Sequence, residues 1–398
     1  MFGRLAHRFD FRVECGADSH LGHVRKQNQD AWHADADMGV FVLADGMGGQ
    51  AAGDVAAKLA VRTVSESLSA AATNVVRAYA ASPSLEGRRQ IFATMRAAAE
   101  EAHALVVRET EARPELKGMG ATLDVVLFAG DRAFVLHAGD ARVYLVRPEV
   151  IVQLTNDHDV RAVINLKGSL PPPTRTAVPN RLLNAVGVGG AIVCDFVTFE
   201  IASGDRLILC TDGVHQMIMD EAAMARRGGA ADAAARDLVA TALARGGRDN
   251  ATAIVVDVRE SRVPRKAQAS ASRDLDVALA CPLLADLPRA QALRLLAAAV
   301  EVEIEGGKIP RVVTRDRVAY IVLDGEVSRS DGIALGAGAV LYPESLVDAR
   351  RPRTFDAASP VRALRIRADD FRELCAGDPR LAALLYERLA RHLAHIDR

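Results

Sequence analysis

Between Val13 and Val258 the chain sets short apolar runs, bounded by Gly or Asp, around two long helical stretches. The first helical stretch, about Ala51 to Ala81, is Ala-rich and follows a Gly-rich turn; the second, about Arg88 to Thr110, stops before Pro114. After it come ATLDVVLFAG, RAFVLHAG and ARVYLVR, punctuated as antiparallel meanders are. RLILC precedes a Thr-Asp-Gly, and ATAIVVDV closes the region. Strands in runs, with the helices grouped between them, predict an α+β layered fold built on antiparallel sheets.

A chain of 398 residues is too long for one ordinary core, so two domains are expected. Residues 259–274, RESRVPRKAQASASRD, are polar and aperiodic and read as the linker between residues 1–258 and 275–398. Beyond it lies the amphipathic stretch PLLADLPRAQALRLLAAAV, then short β runs separated by Gly and Asp through Ile366, then a helix from about Asp369. That order fits a small β-barrel or jelly roll with flanking helices.

Apolar residues make up 50% of the chain and charged residues 25%, the profile of a globular protein. No apolar run reaches the roughly 18 residues needed to span a bilayer, and MFGRLAHRFDFRVECG lacks a signal-peptide core. Cys15, Cys194, Cys210, Cys281 and Cys375 are scattered without a CxxC pair, as buried free thiols are in a reducing compartment. A cytoplasmic location is therefore expected. The net charge of −1 gives no global field to attract nucleic acid.

Four pieces share a chemical theme: RKQNQD (25–30), LADGMGG (43–49), LCTDGV (209–214) and GRDN (247–250). In three of them an Asp stands at the end of a strand-like run or in the turn beside one. A single Asp-Gly reads first as a turn. Several carboxylates converging in space would repel one another, and such a cluster is tolerated around divalent cations. With no Cys and no HxxxH pair in these pieces, the donors would all be oxygen, which favours Mg²⁺ or Mn²⁺ over zinc.

In content and order these pieces resemble the metal-dependent serine/threonine protein phosphatases of type 2C, in their bacterial form. SHLGHVRKQNQDAW, DGMGG, MGATL (119–123), AGDARVYL (138–145), LTNDHD (154–159), GDRLILCTDGV (204–214) and GRDNAT (247–252) follow the family's order across nearly all of the first domain. The resemblance implies a four-layer α-β-β-α sandwich. It implies Asp45 as the carboxylate bridging two Mn²⁺ or Mg²⁺ ions, the Gly46 carbonyl as a ligand of one, and Asp212 and Asp249 as the remaining protein ligands. Arg25 matches the arginine that grips the substrate phosphate, a task its planar fork suits. Asp30 would support the ligand shell, Asp140 would belong to a third, weaker metal site, and Asn250 would brace the Asp249 loop. Water activated between cations about 3.5–4 Å apart would attack phosphorus in line, without a covalent phosphoenzyme. The implied partners are phosphorylated protein substrates and a cognate Ser/Thr kinase. Three positions depart from the family: Gln29 stands where Glu is frequent, Met47 where eukaryotic members carry His, and the segment between His158 and Asn184, with prolines 171–173, is short.

The second domain resembles the cyclic-nucleotide-binding domains of catabolite-activator-type proteins and kinase regulatory subunits. PLLADLP, YIVLDGEV (320–327) and GAGAVLYPESLVDARRPRTF (336–355) carry the likeness. It implies Glu344 as acceptor of the ribose 2′-hydroxyl and Arg353, with Thr354 beside it, on the cyclic phosphate. Pro343 stands where the family has Gly; it fixes φ and removes an N–H. Three readings therefore stay open: a phosphatase modulated by its C-terminal domain, a phosphoprotein-binding scaffold without turnover, and a nucleotide sensor with phosphatase output.

Overall fold

The computed structural model describes residues 9, 11–48, 52–147, 150–160, 182–201, 203–218, 224, 229–261, 271–285, 287, 289–313, 316–347 and 353–396. The chain divides into two compact units, Met1–Val197 with Ile201–Arg265, and Thr198–Glu200 with Lys266–Arg398.

One antiparallel sheet has the order β2-β3-β5-β6-β9, with β4 on β3: β2 Asp30–Asp35, β3 Val40–Met47, β4 Gly120–Ala121, β5 Leu123–Ala129, β6 Arg132–Ala138 and β9 Asp195–Glu200. The other runs β1-β11-β10-β7-β8: β1 Phe11–His20, β7 Arg142–Arg147, β8 Val150–Gln153, β10 Arg206–Cys210 and β11 Ala251–Ser261. Alternate residues of the central strands go to opposite faces. Val40, Val42 and Ala44 pack with α1 (Ala52–Ala71) and α3 (Leu85–Ala112), through Ala56, Ala60, Ala98 and Ala102 among others. Cys210, Ala253 and Val255 pack under α4 (Ala231–Ala244), which contributes Ala235 and Leu238. The intervening positions Phe41, Leu43, Leu207, Leu209 and Ile254 are buried as well. Phe11 of β1 meets Phe128 of β5 edge-on at 5.0 Å, and Phe128 meets Phe41 at 5.6 Å, so the two sheets face each other through aromatic rings.

The helical stretch expected over 51–81 forms as α1, a π-helical turn Ala72–Val76 and α2 (Arg77–Ala81). The Ser84 hydroxyl accepts from Gly87 N and opens α3, which ends two residues before Pro114. Strand β11 continues to Ser261 and a helix begins at Ala271, so both ends of the expected linker are regular structure; its centre, 262–270, lies outside the described residues. The proline run 171–173 lies outside them too.

The second unit holds two antiparallel sheets, one ordered β12-β20-β15-β14 with β18 on β15, the other β13-β19-β16-β17. These are β12 Val300–Ile304, β13 Gly307–Lys308, β14 Val312–Val313, β15 Asp316–Asp324, β16 Val327–Arg329, β17 Ala334–Leu335, β18 Val340–Leu341, β19 Phe355–Ala357 and β20 Val361–Arg367. Ala319, Ile321 and Ile366 face a helical layer with Phe371, Leu381 and Leu385, whereas Val318, Tyr320 and Ala363 face Phe355 and Val327 of the second sheet. The closing helix expected from Asp369 is two helices, Ala368–Gly377 and Pro379–Ile396. Asp378 divides them: its carboxylate accepts from Leu381 N and Pro379 takes the first helical position. The five cysteines are free, and all but Cys15 are buried. Among the described residues no helix is long and apolar enough to cross a membrane.

Phe128 is a hinge-point of the inter-sheet packing, so Phe128→Ala should destabilise the first unit by about 3–5 kcal/mol. Urea unfolding checks this; an unchanged midpoint would show that the sheets do not depend on that ring.

Candidate metal centre

Register brings the sequence-distant carboxylates to one end of the paired sheets. In the second sheet Cys210 pairs with both Arg142 and Ala253. The end of β10, the start of β7 and the start of β11 therefore lie side by side, and the next residues include Asp212, Asp140 and Asp249. In the first sheet Asp30, opening β2, pairs with Asp45 near the end of β3. Two threonine hydroxyls join the mouths: Thr252 Oγ1 and Thr211 Oγ1 both donate to Asp30 Oδ2, at 2.6 and 3.1 Å.

Asp45 is fixed through its backbone, its N–H donating to Thr122 Oγ1 at 2.8 Å and its carbonyl accepting from Thr122 N at 2.9 Å. Burial, then the charges of Asp30, Asp212, Asp140 and Asp249, hold its carboxyl well above the ordinary carboxylate range. Burial raises Asp30 to about 7 against the two threonine bonds. Asp212 is raised to about 6 by burial and then Asp249 and Asp30, while a hydrogen bond with Asp45 and the charge of Arg25 oppose the shift. Gln216 Nε2 donates to Asp212 Oδ2 at 2.9 Å, and the buried His215 holds the Asp140 carbonyl through Nε2 at 2.9 Å. Burial depresses His215 to about 3, so the ring is neutral and Nε2 is its donor.

Arg25 Nη2 donates to Asp249 Oδ2 at 2.5 Å, and this bond leads the causes that raise the arginine's pKa. Asn250 braces the Arg25 loop rather than that of Asp249 alone. Its side chain donates to the carbonyls of Leu21 (2.8 Å) and Gln27 (3.0 Å) and accepts from Gln29 N (2.9 Å). Two glycines allow this density of backbone. A Cβ on Gly46 would stand 2.2 Å from the Gly53 carbonyl oxygen, and one on Gly213 would stand 1.9 Å from that of Asn250.

The structure thus brings together Arg25, Asp30, Asp45, Gly46, Asp140, Asp212 and Asp249. Among the described residues no three His, Cys, Asp or Glu side chains already surround one point at ligand distance; Asp249 is turned to Arg25, and Asp212 to Asp45. The cluster nonetheless suits hard divalent cations: its donors are oxygens, its carboxylates repel one another, and the buried Asp30 Oδ1 has no hydrogen-bond partner. Thr122, Thr211, Thr252, His215 and Gln216 are the site residues that charge-based reading of the sequence missed. Each lies within or beside one of the quoted motifs, and that adjacency was the available signal.

The nucleotide-site candidates lie in the second unit. Glu344 is buried in a 3₁₀ turn, Pro343–Val347, with Arg311 Nη2 3.5 Å from its Oε1. Arg353 is half-buried, and Thr354 exchanges backbone and hydroxyl bonds with Ser330.

Residues 18–245 match the family model described as Protein phosphatase 2C. The chain belongs to this family. The matched span includes Arg25, Asp30, Asp45, Asp140 and Asp212 and stops short of Asp249. PstP, a serine/threonine protein phosphatase of Mycobacterium tuberculosis, is 34% identical over 248 residues, 62% of this chain and 45% of that protein. The chain therefore spans less than half the length of that relative. The serine/threonine phosphatase stp of Listeria monocytogenes is 29% identical over 254 residues, 62% of this chain and 94% of the relative. A solved catalytic domain of PstP in complex with two manganese ions matches with a TM-score of 0.52 at 30% identity, covering 62% of this chain and 99% of that one.

The raised carboxyls of the protein phosphatase 2C domain predict a pH signature. Between about pH 4 and 7 the metal-free folded chain keeps protons on Asp30 and Asp212 that the unfolded chain has released, so this cluster costs stability as pH rises. A cation must displace those protons. The rise in melting temperature caused by Mn²⁺ should be large at pH 8 and shrink through pH 7 and 6; a rise independent of pH would contradict the assignment.

Proposed function

We propose that the chain hydrolyses phosphoserine and phosphothreonine in proteins. The observation that carries this reading is the meeting of five carboxylates from separated segments at one sheet mouth, with Arg25 on their rim. Asp45, Asp212, Asp249 and the Gly46 carbonyl would hold two Mn²⁺ or Mg²⁺ ions, and Asp140 a third, weaker one. A bound pair supplies water acidic enough to act as hydroxide near neutral pH.

The chain's own residues do the rest. With Asp249 engaged by a cation, Arg25 would be free to offer its fork to two phosphate oxygens, orienting phosphorus for in-line attack and stabilising the equatorial charge. Asp30, held by Thr211 and Thr252, keeps Oδ1 as a buried acceptor for a water of the ligand shell. Gln216 and His215 keep Asp212 and the Asp140 turn in place. Met47 carries no proton, so the leaving alkoxide takes its proton from solvent. Retention of Asp45, Asp212 and Asp249 together argues against a scaffold without turnover.

In this reading the second unit modulates the phosphatase as a protein-interaction module. The Glu344 carboxylate is buried against the chain's own Arg311. Next to it Tyr342 sits at φ 52°, its hydroxyl donating to the Ile309 carbonyl and accepting from Phe355 N. Glu344 Oε1 is buried without a hydrogen-bond partner among the described residues, but Pro343 beside it offers no N–H to a cyclic phosphate, which disfavours the nucleotide here. Calorimetry with cyclic AMP and cyclic GMP should give no saturable heat. Micromolar binding lost in Arg353→Ala would restore the nucleotide-sensor reading.

With Mn²⁺ the purified protein should hydrolyse p-nitrophenyl phosphate and a phosphothreonyl peptide, and EDTA should stop it. Asp212→Asn should lower kcat by about 100-fold or more, and Arg25→Ala should lower kcat/KM by about tenfold or more. Turnover that survives EDTA, or Asp212→Asn at the wild-type rate, would defeat the phosphatase reading.

A further inference from the structure

The net charge of the chain is −1, yet the two loops that flank the metal centre carry four cations, Arg25, Lys26, Arg245 and Arg248, against one acid, Asp249. Residues 20–29 carry Arg25 and Lys26 and no acid; residues 245–250 carry Arg245 and Arg248 and a single acid, Asp249. That acid is already committed to Arg25 and to the carboxylate cluster. Lys26, Arg245 and Arg248 are exposed, as are the neighbouring imidazoles of His20 and His23. The nearby Asp54, which accepts from Gln27, is matched by Lys58 at 2.7 Å.

These cations are not on wandering loops. His23 N donates to the Gly247 carbonyl at 2.7 Å, Gly22 N donates to His20 Nδ1 at 2.9 Å, and Asn250 ties Leu21, Gln27 and Gln29 to the start of β11. Arg245 Nη1 also donates to the Met217 carbonyl at 3.2 Å, in the turn that follows Asp212. The backbones that carry these cations are therefore held beside Arg25. Bound divalent cations would offset the charge of the buried carboxylates beneath, leaving the rim positive.

We propose that this rim selects phosphoserine and phosphothreonine segments flanked by acidic side chains, with Lys26 and Arg248 pairing with carboxylates on either side of the phosphoresidue. The proposal rests on the phosphatase reading and names the substrate class of that site. Each contact is solvent-exposed and individually weak, so the preference comes from several acting together and from steering of the encounter, and it falls with ionic strength.

The test compares three phosphothreonyl peptides of equal length, with acidic, neutral and basic flanks, under Mn²⁺ at about 50 and 300 mM salt. At low salt kcat/KM should be about fivefold or more higher for the acidic than for the neutral peptide, lower still for the basic one, and the spread should narrow at high salt. Lys26→Gln combined with Arg248→Gln should bring the acidic-to-neutral ratio close to one. Fluorescence anisotropy of labelled copies of the peptides reads the same order of affinities without turnover. Equal rates and equal affinities across the set, or a ratio unchanged in the double variant, would overturn the proposal and leave the phosphatase reading intact. Hydrolysis of none of the peptides would count against the phosphatase reading, and the affinity order would still decide the rim's preference.

Discussion

Mutual repulsion among buried carboxylates is the constraint on which the first unit turns. Asp30, Asp45, Asp140, Asp212 and Asp249 come from five sequence segments and meet where the two sheets open. A protein interior does not gather such charges without protons, cations or directed hydrogen bonds to hold them. In this structure all three devices can be traced. Protons are retained because the acids are raised, Arg25 is drawn to Asp249, and Thr211 and Thr252 fasten Asp30. The stacked sheets supply the rigidity: each has helices on one face and aromatic packing to the other sheet between, so the strand ends cannot drift apart.

Much of this was legible from the sequence, because each carboxylate candidate carries a charge and stands in a short strand-to-turn context that the residues spell out. DGMGG and CTDG fix both the acid and the glycine that lets backbone crowd against it, and the antiparallel runs follow from their turn residues. The supporting hydroxyls were harder to read. Thr122, Thr211 and Thr252 have no charge, and their importance depends on strand register across the two sheets. The pairing of Arg25 with Asp249 joins residues 224 apart in sequence, which no local pattern reveals. The helix break at Asp378 was present as an Asp-Pro start signal, yet the amphipathic pattern on both sides concealed it.

The second unit shows where motif likeness and local physics part. Its order of β runs and helices was readable, but the cassette carrying Glu344 depends on burial and on a partner, Arg311, from another loop. The Glu344 carboxylate is enclosed, and Tyr342, two residues before it, has a left-handed backbone.

The account stands or falls on whether the carboxylate cluster is a two-cation centre that needs Asp45 as its shared member. Equilibrium dialysis against Mn²⁺, followed by elemental analysis of the full chain, measures this directly. The wild-type protein should retain two manganese ions per chain, and Asp45→Asn, with its folded circular-dichroism spectrum intact, should retain fewer than one. Equal manganese content in the two proteins, or none in the wild type, would contradict it.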